Sequence, residues 1–358
     1  MRFFNLDQHC AVVEDIARIF KRLGHEIDSV NFTGHNFVFN RPKVNSFGGF
    51  TPDHYWQYLE GKFYSELKDK LASYDGFISC YPPCFAWLYK DFGKPIICQI
   101  PIRYEHFMSF NPVKWGEFNA WIREATEAGQ LYPVANNAYD AAYFKHFTGV
   151  EADCIPNLCD YTGQSYSPSL ETALLWDTRS ERLDREACSR VPALRALRAT
   201  YPRYEWDRVV KHRAFVHIPY NCSVMSMFEH YSMGVPIFVP SPEFLLYLKE
   251  SFGALSELTW NQSCGLKPQG SAIKPYVESG TPDPNLYNDE ASLRSWMGLY
   301  DHYRLPYLEE FGSWKELAEK LADDTLLYST SQVMKEHQRS RANKIVDGWG
   351  KLLKEIQA

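Results

Sequence analysis

Residues 2–157 alternate between short apolar segments and longer segments that carry one apolar face. "RFFNL" predicts a β-strand, and "AVVEDIARIFKRLG" predicts a helix whose apolar face ends at Gly24, a usual helix stop. The same order recurs around the strand-like segments "DGFISCY", "KPIICQI" and "LYPVANN". This alternation predicts βαβ units and a mostly parallel sheet covered on both faces. Ligands of such sheets bind at the carboxyl ends of the strands.

The alternation stops after residue 160 and resumes near residue 214. There "AFVHIPY" and "PIFVPS" predict neighbouring buried strands, and amphipathic segments return up to the C-terminus. We therefore predict an α/β protein of two Rossmann-like, doubly wound domains that face each other across a cleft. The first comprises residues 1–160, with a C-terminal helix at 335–358 packing back on it, and the second comprises residues 161–334.

The segment "HIPYNCSVMSMFEHYSMGVPIFVPS", residues 217–241, predicts a crossover helix between those two strands. Ser223 is the expected N-cap, which would direct backbone amides of the helix start toward the strand ends, where they suit a diphosphate. Val224, Met227, Phe228 and Tyr231 form the apolar face of this helix. Glu229 falls outside that face, so we expect it to point to solvent or to the cleft and to add little to packing.

The sequence "FEHYSMGVPI" (228–237) resembles the donor-site motif of retaining, glycogen-synthase-like glycosyltransferases of the GT-B fold. In that family a Glu is followed by Gly five residues on and by Pro seven residues on, as Glu229 is by Gly234 and Pro236. "VANNAYDAAYFKHFTGVEADCIPNLCD" also resembles the family's strand–helix–strand that ends in Pro-Asn-x-x-Asp. The resemblance is close over residues 129–160 and 210–250.

The resemblance implies that Glu229 holds the ribose hydroxyls of a nucleotide sugar, a role that suits a carboxylate because it accepts two charge-assisted hydrogen bonds. Asn221 stands where the family has a first Glu, and it would hydrogen-bond the sugar without carrying a charge. The family's Gly-Arg and Lys-Gly phosphate clamp has no clear counterpart, and the first loop, "LDQHCA", lacks the family's glycine pair.

Five further residues are candidates for the site. His9 and His106 follow predicted strands of the first domain, and the resemblance implies contacts with the acceptor and with the transferred sugar. Arg103 and Glu105, beside His106, form either part of this site or a structural ion pair. Ser241 follows the "PIFVP" strand, where it either lies beside the donor or only caps the next helix.

Arg213 belongs to an arginine-rich stretch, residues 179–213, in which ten basic residues exceed five acidic ones by five. This stretch is either a solvated surface of mixed charge or a source of phosphate ligands, of which Arg213 is our candidate.

Composition narrows the class of protein. The chain has 358 residues and a formal net charge of −6, which argues against a general nucleic-acid coat. Its nine cysteines form no Cys-x-x-Cys pair, and no apolar segment reaches the roughly 20 residues that span a bilayer. A Gly-x-Gly-x-x-Gly after the first strand, a P-loop and an Asp-x-Asp metal motif are all absent. We expect a cytoplasmic protein without integral membrane association.

These observations predict a glycosyltransferase that moves a sugar from a UDP- or GDP-linked donor to a carbohydrate or other hydroxyl acceptor. Retention of configuration, no cofactor and independence of a divalent metal are part of this prediction. Two alternatives stay open. One is a nucleotide-sugar-binding protein of the same fold that has lost turnover, and the other is a glycosyltransferase that modifies nucleic acid.

Overall fold

The computed structural model describes residues 1–358 except 60, 109–110, 260–261, 263–269 and 278–279. The chain divides into two compact units. The first contains residues 1–157, 271–281 and 345–358, and the second contains residues 158–270 and 282–344. The predicted domains differ from this division, because they assigned 335–344 to the first domain and 271–281 to the second.

The first unit is built on a six-stranded parallel sheet with the order β2-β1-β3-β4-β5-β6. Its strands are β1 Arg2–Asp7, β2 Glu26–Asn31, β3 Gly76–Ser79, β4 Ile96–Ile100, β5 Leu131–Ala135 and β6 Asp153–Cys154. Its helices are α1 Cys10–Arg22, α2 Tyr55–Tyr58, α3 Lys62–Leu71, α4 Pro112–Glu127 and α5 Ala138–Thr148.

The second unit has a five-stranded parallel sheet with the order β11-β10-β9-β7-β8. Its strands are β7 Ala173–Leu175, β8 Leu194–Ala196, β9 Phe215–Val216, β10 Ile237–Pro240 and β11 Glu309–Phe311. Its helices are α6 Glu181–Arg190, α7 Leu197–Thr200, α8 Trp206–Val209, α9 Met225–Met233, α10 Pro242–Phe252, α11 Glu290–Met297, α12 Asp301–Arg304 and α13 Trp314–Leu321. A final helix, α14 Asp324–Gln357, begins in this unit and ends in the first.

Apolar side chains of the strands and of the facing helices form the core of each unit. In the first unit, Phe3 of β1 packs edge-on against Phe20 of α1, and Trp349 of α14 contacts the same ring. In the second unit, Leu174 and Phe215 of neighbouring strands pack with Trp176 and Met233. The predicted fold class, an α/β protein with two parallel sheets, is confirmed.

Two local predictions differ from the structure. The helix that the alternation predicts after "DGFISCY" is a 3₁₀ helix rather than an α-helix; it spans Pro83–Phe92 and has proline within its first turn. The stretch around residues 173–190, predicted as irregular, contains β7 and α6. The strand was missed because it is only three residues long, too short to show a period of its own.

Candidate functional site

Three aromatic side chains meet at the carboxyl edge of the first sheet. His9 follows β1, Tyr81 follows β3 and His106 follows β4, and these three strands are neighbours in the sheet. The ring centroid of Tyr81 lies 5.2 Å from that of His9 and 5.7 Å from that of His106. The structure therefore brings the two predicted histidines to a shared aromatic neighbour that the sequence analysis did not single out.

Asp7, the last residue of β1, joins two of these loops. Its carboxylate accepts hydrogen bonds from the backbone N–H of His9 at 2.7 Å and from that of Tyr81 at 3.0 Å. Asp7 is fully buried, and burial raises its pKa to about 7, although these hydrogen bonds act in the opposite direction. The loops of β1 and β3 are thus fixed to one buried acid.

His9 is the N-cap of α1. Its Nδ1 accepts a hydrogen bond from the Val12 N–H at 3.4 Å, and burial lowers the pKa of the imidazole to about 4. The ring is therefore neutral at pH 7, with its proton on Nε2. In this tautomer His9 offers a hydrogen-bond donor at Nε2, so it suits an oxygen of a ligand better than it suits the role of a general base.

His106 is buried and neutral, since burial lowers its pKa to about 4. Its neighbours Arg103 and Glu105 are buried as well. Arg103 donates to the hydroxyl of Tyr139 at 2.9 Å, and the hydroxyl of Tyr143 donates to Glu105 at 2.8 Å. Burial raises the pKa of Glu105 to about 7, and the charge of Arg103 partly offsets this. Arg103 and Glu105 thus belong to a buried structural network.

A narrow pocket lies at the carboxyl edge of the second sheet, beside the start of α9. Its lining follows β7 and β9 and includes one residue of α12; it consists of Trp176, Asp177, His217, Ile218, Pro219, Tyr220, Val224 and His302. This is the edge at which parallel sheets bind ligands. The pocket is therefore the candidate ligand site of the second unit.

Glu229 is buried, so of the two predicted directions, solvent or the cleft, the structure excludes solvent, and the expectation that this residue adds little to packing is wrong. It is 5% exposed, its Oε1 accepts a hydrogen bond from the Tyr161 hydroxyl at 2.5 Å, and its Oε2 accepts one from Nε1 of Trp206 at 3.4 Å. The expectation of little packing was wrong because α9 also buries the side of the helix that lies outside its apolar face. Tyr161 and Trp206 cover the remaining side and satisfy the carboxylate.

The ends of α9 also differ in part from the prediction. The N-cap is Val224 rather than Ser223, which lies one residue before it, and no side chain caps this end. At the other end, Gly234 has a φ of +73°, a conformation that a residue with a side chain adopts only at a cost. A Cβ at Gly234 would also lie 2.5 Å from Cγ of Lys335. The motif's glycine is thus required by both the turn and the packing.

The other predicted donor residues lie at separate places in the second unit. Asn221 is half-buried between β9 and α9, where its Oδ1 accepts from the N–H of Cys222 at 2.8 Å. Ser241 is the N-cap of α10 and accepts from the N–H of Phe244 at 3.3 Å, as the capping alternative predicted.

Arg213 precedes β9, at the amino end of that strand, where its guanidinium pairs with Glu171 at 2.8 Å and with Asp324. The structure therefore does not bring Arg213 to the edge of the sheet that carries the pocket.

Arg179 is the basic residue that sequence reasoning did not single out. It follows β7 at the carboxyl edge, lies 3.6 Å from Glu257 and 3.9 Å from Asp177, and stacks over the ring of Tyr220. The apolar run "ALLW" directly before it was the available signal, because it marks the strand that places Arg179 there. Arg190, Arg198 and Arg208 of the same stretch, like Arg213, pair with carboxylates, which favours the interpretation as a surface of mixed charge.

No family model matches this chain, and no curated protein matches it in sequence. Solved structures with a similar fold include the glycotransferase of kitacinnamycin, with a TM-score of 0.48, 11% identity, and 99% and 98% of the two chains covered. UGT89C1 of Arabidopsis thaliana, complexed with UDP-L-rhamnose, has a TM-score of 0.45, 11% identity and 98% of each chain covered. The rhamnosyltransferase SpnG, complexed with thymidine diphosphate, has a TM-score of 0.45, 7% identity, and 95% and 96% covered. Similarity at this level does not establish a shared activity.

The described residues show neither a metal-binding cluster nor a membrane-spanning helix. They contain no group of three or more His, Cys, Asp or Glu side chains arranged to hold a metal ion. Within the same residues, no helix combines the length and the apolar character needed to cross a membrane.

Proposed function

We propose that this protein is a glycosyltransferase that moves a sugar from a nucleotide-sugar donor to a hydroxyl acceptor. The observation that carries the proposal is the pocket at the carboxyl edge of the second sheet, beside the start of the helix that bears Glu229 and ends at Gly234. The motif Glu-x₄-Gly-x-Pro thus occupies a strand–helix–strand unit next to a pocket, as its proposed role requires.

On the donor side, three features suit the parts of a nucleotide sugar. The start of α9 offers backbone N–H groups and the positive end of a helix dipole to a diphosphate. Arg179, at the same edge of the sheet, supplies a positive charge once the diphosphate replaces Glu257 as its partner. Glu229 would hold the ribose hydroxyls after exchanging its contact with Tyr161, and Trp206 beside it offers an indole face to the base.

On the acceptor side, we assign His9, Tyr81 and His106 to the binding of the acceptor and of the transferred sugar. In the transfer, the acceptor oxygen bonds to the anomeric carbon, and the bond from that carbon to the phosphate oxygen breaks. Since His9 is neutral and carries its proton on Nε2, the departing diphosphate is the better proton acceptor. This favours transfer with retention and without a metal, in which helix amides and basic side chains stabilise the departing charge.

Neither alternative function has an observation of comparable weight. A binding protein without turnover would keep Glu229 and the pocket but would not need the two histidines at the first sheet. A nucleic-acid-modifying enzyme would need basic side chains available to phosphates, whereas Arg190, Arg198 and Arg208 lie within 3.1 Å of carboxylates.

A thermal-shift screen with UDP, GDP, ADP and TDP, followed by the release of nucleoside diphosphate from the matching sugar nucleotides, tests the proposal. We expect one diphosphate to raise Tm, since a ligand at about 100 times its Kd adds roughly 2.7 kcal/mol, and we expect its sugar nucleotide to be turned over. Binding without turnover in the presence of a range of acceptors would favour the inactive binding protein. Binding of none of the four would reject both. A steep salt dependence of DNA binding would instead favour the nucleic-acid enzyme.

A further inference from the structure

His302 is a buried histidine that lines the donor pocket. It lies in α12 and is 2% exposed. Neither of its ring nitrogens has a hydrogen-bond partner of normal geometry among the described residues, and both atoms are shielded from solvent. Burial lowers its pKa to about 4, partly offset by the nearby backbone of Cys222, so the ring is neutral at pH 7.

Such an arrangement costs stability in the ligand-free protein. A buried donor or acceptor without a partner loses its hydrogen bonds to water and gains none in return. The other histidine of the lining differs, because Nε2 of His217 lies 2.8 Å from Nδ1 of His230. An unsatisfied group of this kind calls for an explanation, and a ligand that supplies the missing partners is one.

The chain segment that carries His302 is hydrogen-bonded to the residues beside the pocket. It belongs to the connection between α10 and β11, and we call its residues 253–259 and 282–308, in the second unit, the α10–β11 connection. The N–H groups of Leu255 and Glu257 donate to the carbonyls of Pro219 and Tyr220, at 2.9 and 2.8 Å. The N–H of Asp301 donates to the carbonyl of Cys222 at 3.1 Å. Through these bonds the connection lies along the residues that follow β9.

The pocket is small. Its empty space, including the part that opens to solvent, is about 190 Å³, and no part of it is wide enough for a water molecule. Pockets that enclose a whole drug-sized ligand usually exceed this volume. A ligand therefore places only one of its parts here, and the lining side chains must move apart to admit it.

The chemistry of the lining identifies that part. A neutral imidazole has one donor and one acceptor, and a hydroxyl group, which also donates and accepts, can satisfy both. A phosphate oxygen only accepts, so it leaves one nitrogen unsatisfied. Asp177, which also lines the pocket, accepts hydrogen bonds from hydroxyls, and the ring of Trp176 provides an apolar surface for a sugar. These features match a hydroxylated sugar better than an anion.

We propose that His302 binds the donor sugar: its imidazole hydrogen-bonds a sugar hydroxyl and so determines which sugar the protein accepts. This inference rests on the proposed function, because it assumes that the pocket receives a nucleotide sugar. It assigns specificity to the α10–β11 connection rather than to the motif of α9. His302 is a binding residue, and no step of the transfer passes through it.

The test compares each sugar nucleotide with its own diphosphate in the wild type and in His302→Leu, by calorimetric titration. The probes are UDP-glucose, UDP-N-acetylglucosamine, GDP-mannose and GDP-fucose, with UDP and GDP as the matched ligands without a sugar. For a sugar nucleotide that the wild type prefers to its diphosphate, we expect His302→Leu to lower affinity about tenfold. Affinity for the diphosphate alone stays unchanged.

His212→Leu is the matched control. His212 is also 2% exposed, but its Nδ1 lies 2.9 Å from the Thr172 hydroxyl and its Nε2 lies 3.0 Å from the Tyr201 hydroxyl. We expect His212→Leu to lower Tm and to leave sugar preference unchanged, because it removes satisfied hydrogen bonds. His302→Leu should instead raise Tm in the absence of ligand, because leucine is of similar size and has no polar atom to satisfy.

Three results would overturn the inference while leaving the proposed function intact. They are equal losses of affinity for sugar nucleotide and diphosphate, no loss for either, and a wild type that binds UDP and GDP as tightly as every sugar derivative tested. A fall in Tm of His302→Leu as large as that of His212→Leu would also overturn it. A wild type that binds none of these six ligands and neither ADP nor TDP would reject the proposed function itself.

Discussion

The hydroxyl of Tyr161 donates a 2.5 Å hydrogen bond to Oε1 of Glu229, across 68 positions of the chain. Tyr161 belongs to the segment with which the second unit begins, and Glu229 lies in the middle of α9. Glu229, the first residue of the Glu-x₄-Gly-x-Pro motif, therefore also links α9 to the segment with which the second unit begins. A substitution of Glu229 is expected to change stability as well as ligand binding.

We predict that Glu229→Gln lowers both nucleotide affinity and stability. Glutamine keeps one acceptor oxygen, which can serve the Tyr161 hydroxyl, but its NH2 group would then face the Trp206 N–H donor, at a cost of about 1–3 kcal/mol of unfolding free energy. Loss of a charge-assisted contact to the ribose should weaken binding about tenfold or more. Tyr161→Phe is the control, because it removes the hydroxyl and keeps the carboxylate. It should lower Tm without weakening nucleotide binding, and an equal loss of affinity in both variants would argue against a ribose contact.

We predict that Gly234→Ala destabilises the protein more than Gly253→Ala. Both glycines end helices at positive φ, +73° and +77°, so both substitutions incur about 1 kcal/mol of backbone strain. Only Gly234 adds a clash with Lys335, because a Cβ at Gly253 meets no atom within 4 Å. Urea unfolding of both variants, and of Gly234→Ala combined with Lys335→Ala, measures the difference. If the clash explains it, the double variant should recover stability toward the level of Gly253→Ala.

We predict that Asp7 makes stability fall as pH rises toward neutrality. The folded-state pKa of about 7 lies above that of an aspartate in the unfolded chain. The contribution is therefore fully present below about pH 4 and is lost as pH rises through about 7. Asp7→Asn should remove a slope of up to about 1.4 kcal/mol per pH unit in this range. Burial also raises the pKa of Glu105 to about 7, so Glu105→Gln should remove a comparable part of the slope. An unchanged profile in Asp7→Asn would contradict the assignment.

We predict that His9→Asn keeps the fold and lowers turnover. Asparagine is a good N-cap, so it can replace the contact with the Val12 N–H while removing the imidazole Nε2. His9→Ala should lose both the cap, at about 1 kcal/mol, and turnover. If His9 donates to a reacting oxygen, nucleoside diphosphate release should fall about a hundredfold in both variants. Normal turnover in a well-folded His9→Asn would remove His9 from the site.

We predict that turnover does not need a divalent metal, because α9 and Arg179 can receive the diphosphate and the sequence lacks an Asp-x-Asp pair. Release of nucleoside diphosphate should therefore proceed at the same rate in excess chelator. A complete loss of turnover in chelator that manganese or magnesium restores would contradict this.

Local patterns predicted those parts of the fold that depend on local sequence. The apolar periodicity around Val12 and Ile16 predicted α1, and the spacing from Glu229 to Gly234 predicted the end of α9. The burial of Glu229 could not be predicted in this way, because it depends on Tyr161 and Trp206, which lie 68 and 23 positions away. Nothing in the spacing of the helix distinguishes a carboxylate facing solvent from one covered by distant aromatic rings.

The residues of the candidate site likewise fall into those that local sequence predicts and those that it does not. His9 and His106 could be predicted, because a residue that follows a buried parallel strand lies at the carboxyl edge whatever else the chain does. Arg179 was missed because β7 is a strand of only three residues. His302 was missed because it lies in a long connection, where no period relates it to the sheet, and only the bonds of that connection to residues 219–222 bring it to the pocket.

The attachment of the α10–β11 connection has a consequence for how such a protein diversifies. The connection joins the pocket through main-chain hydrogen bonds at Pro219, Tyr220 and Cys222, and almost any sequence can form these. Its exposed side chains are therefore open to change without loss of the attachment, while its buried side chains, such as Trp296 and Tyr300, remain constrained, as do the sheet and the glycine turn after α9. If His302 selects the sugar, exchanging this one connection between related proteins would transplant donor preference as a module, leaving the transfer machinery in place.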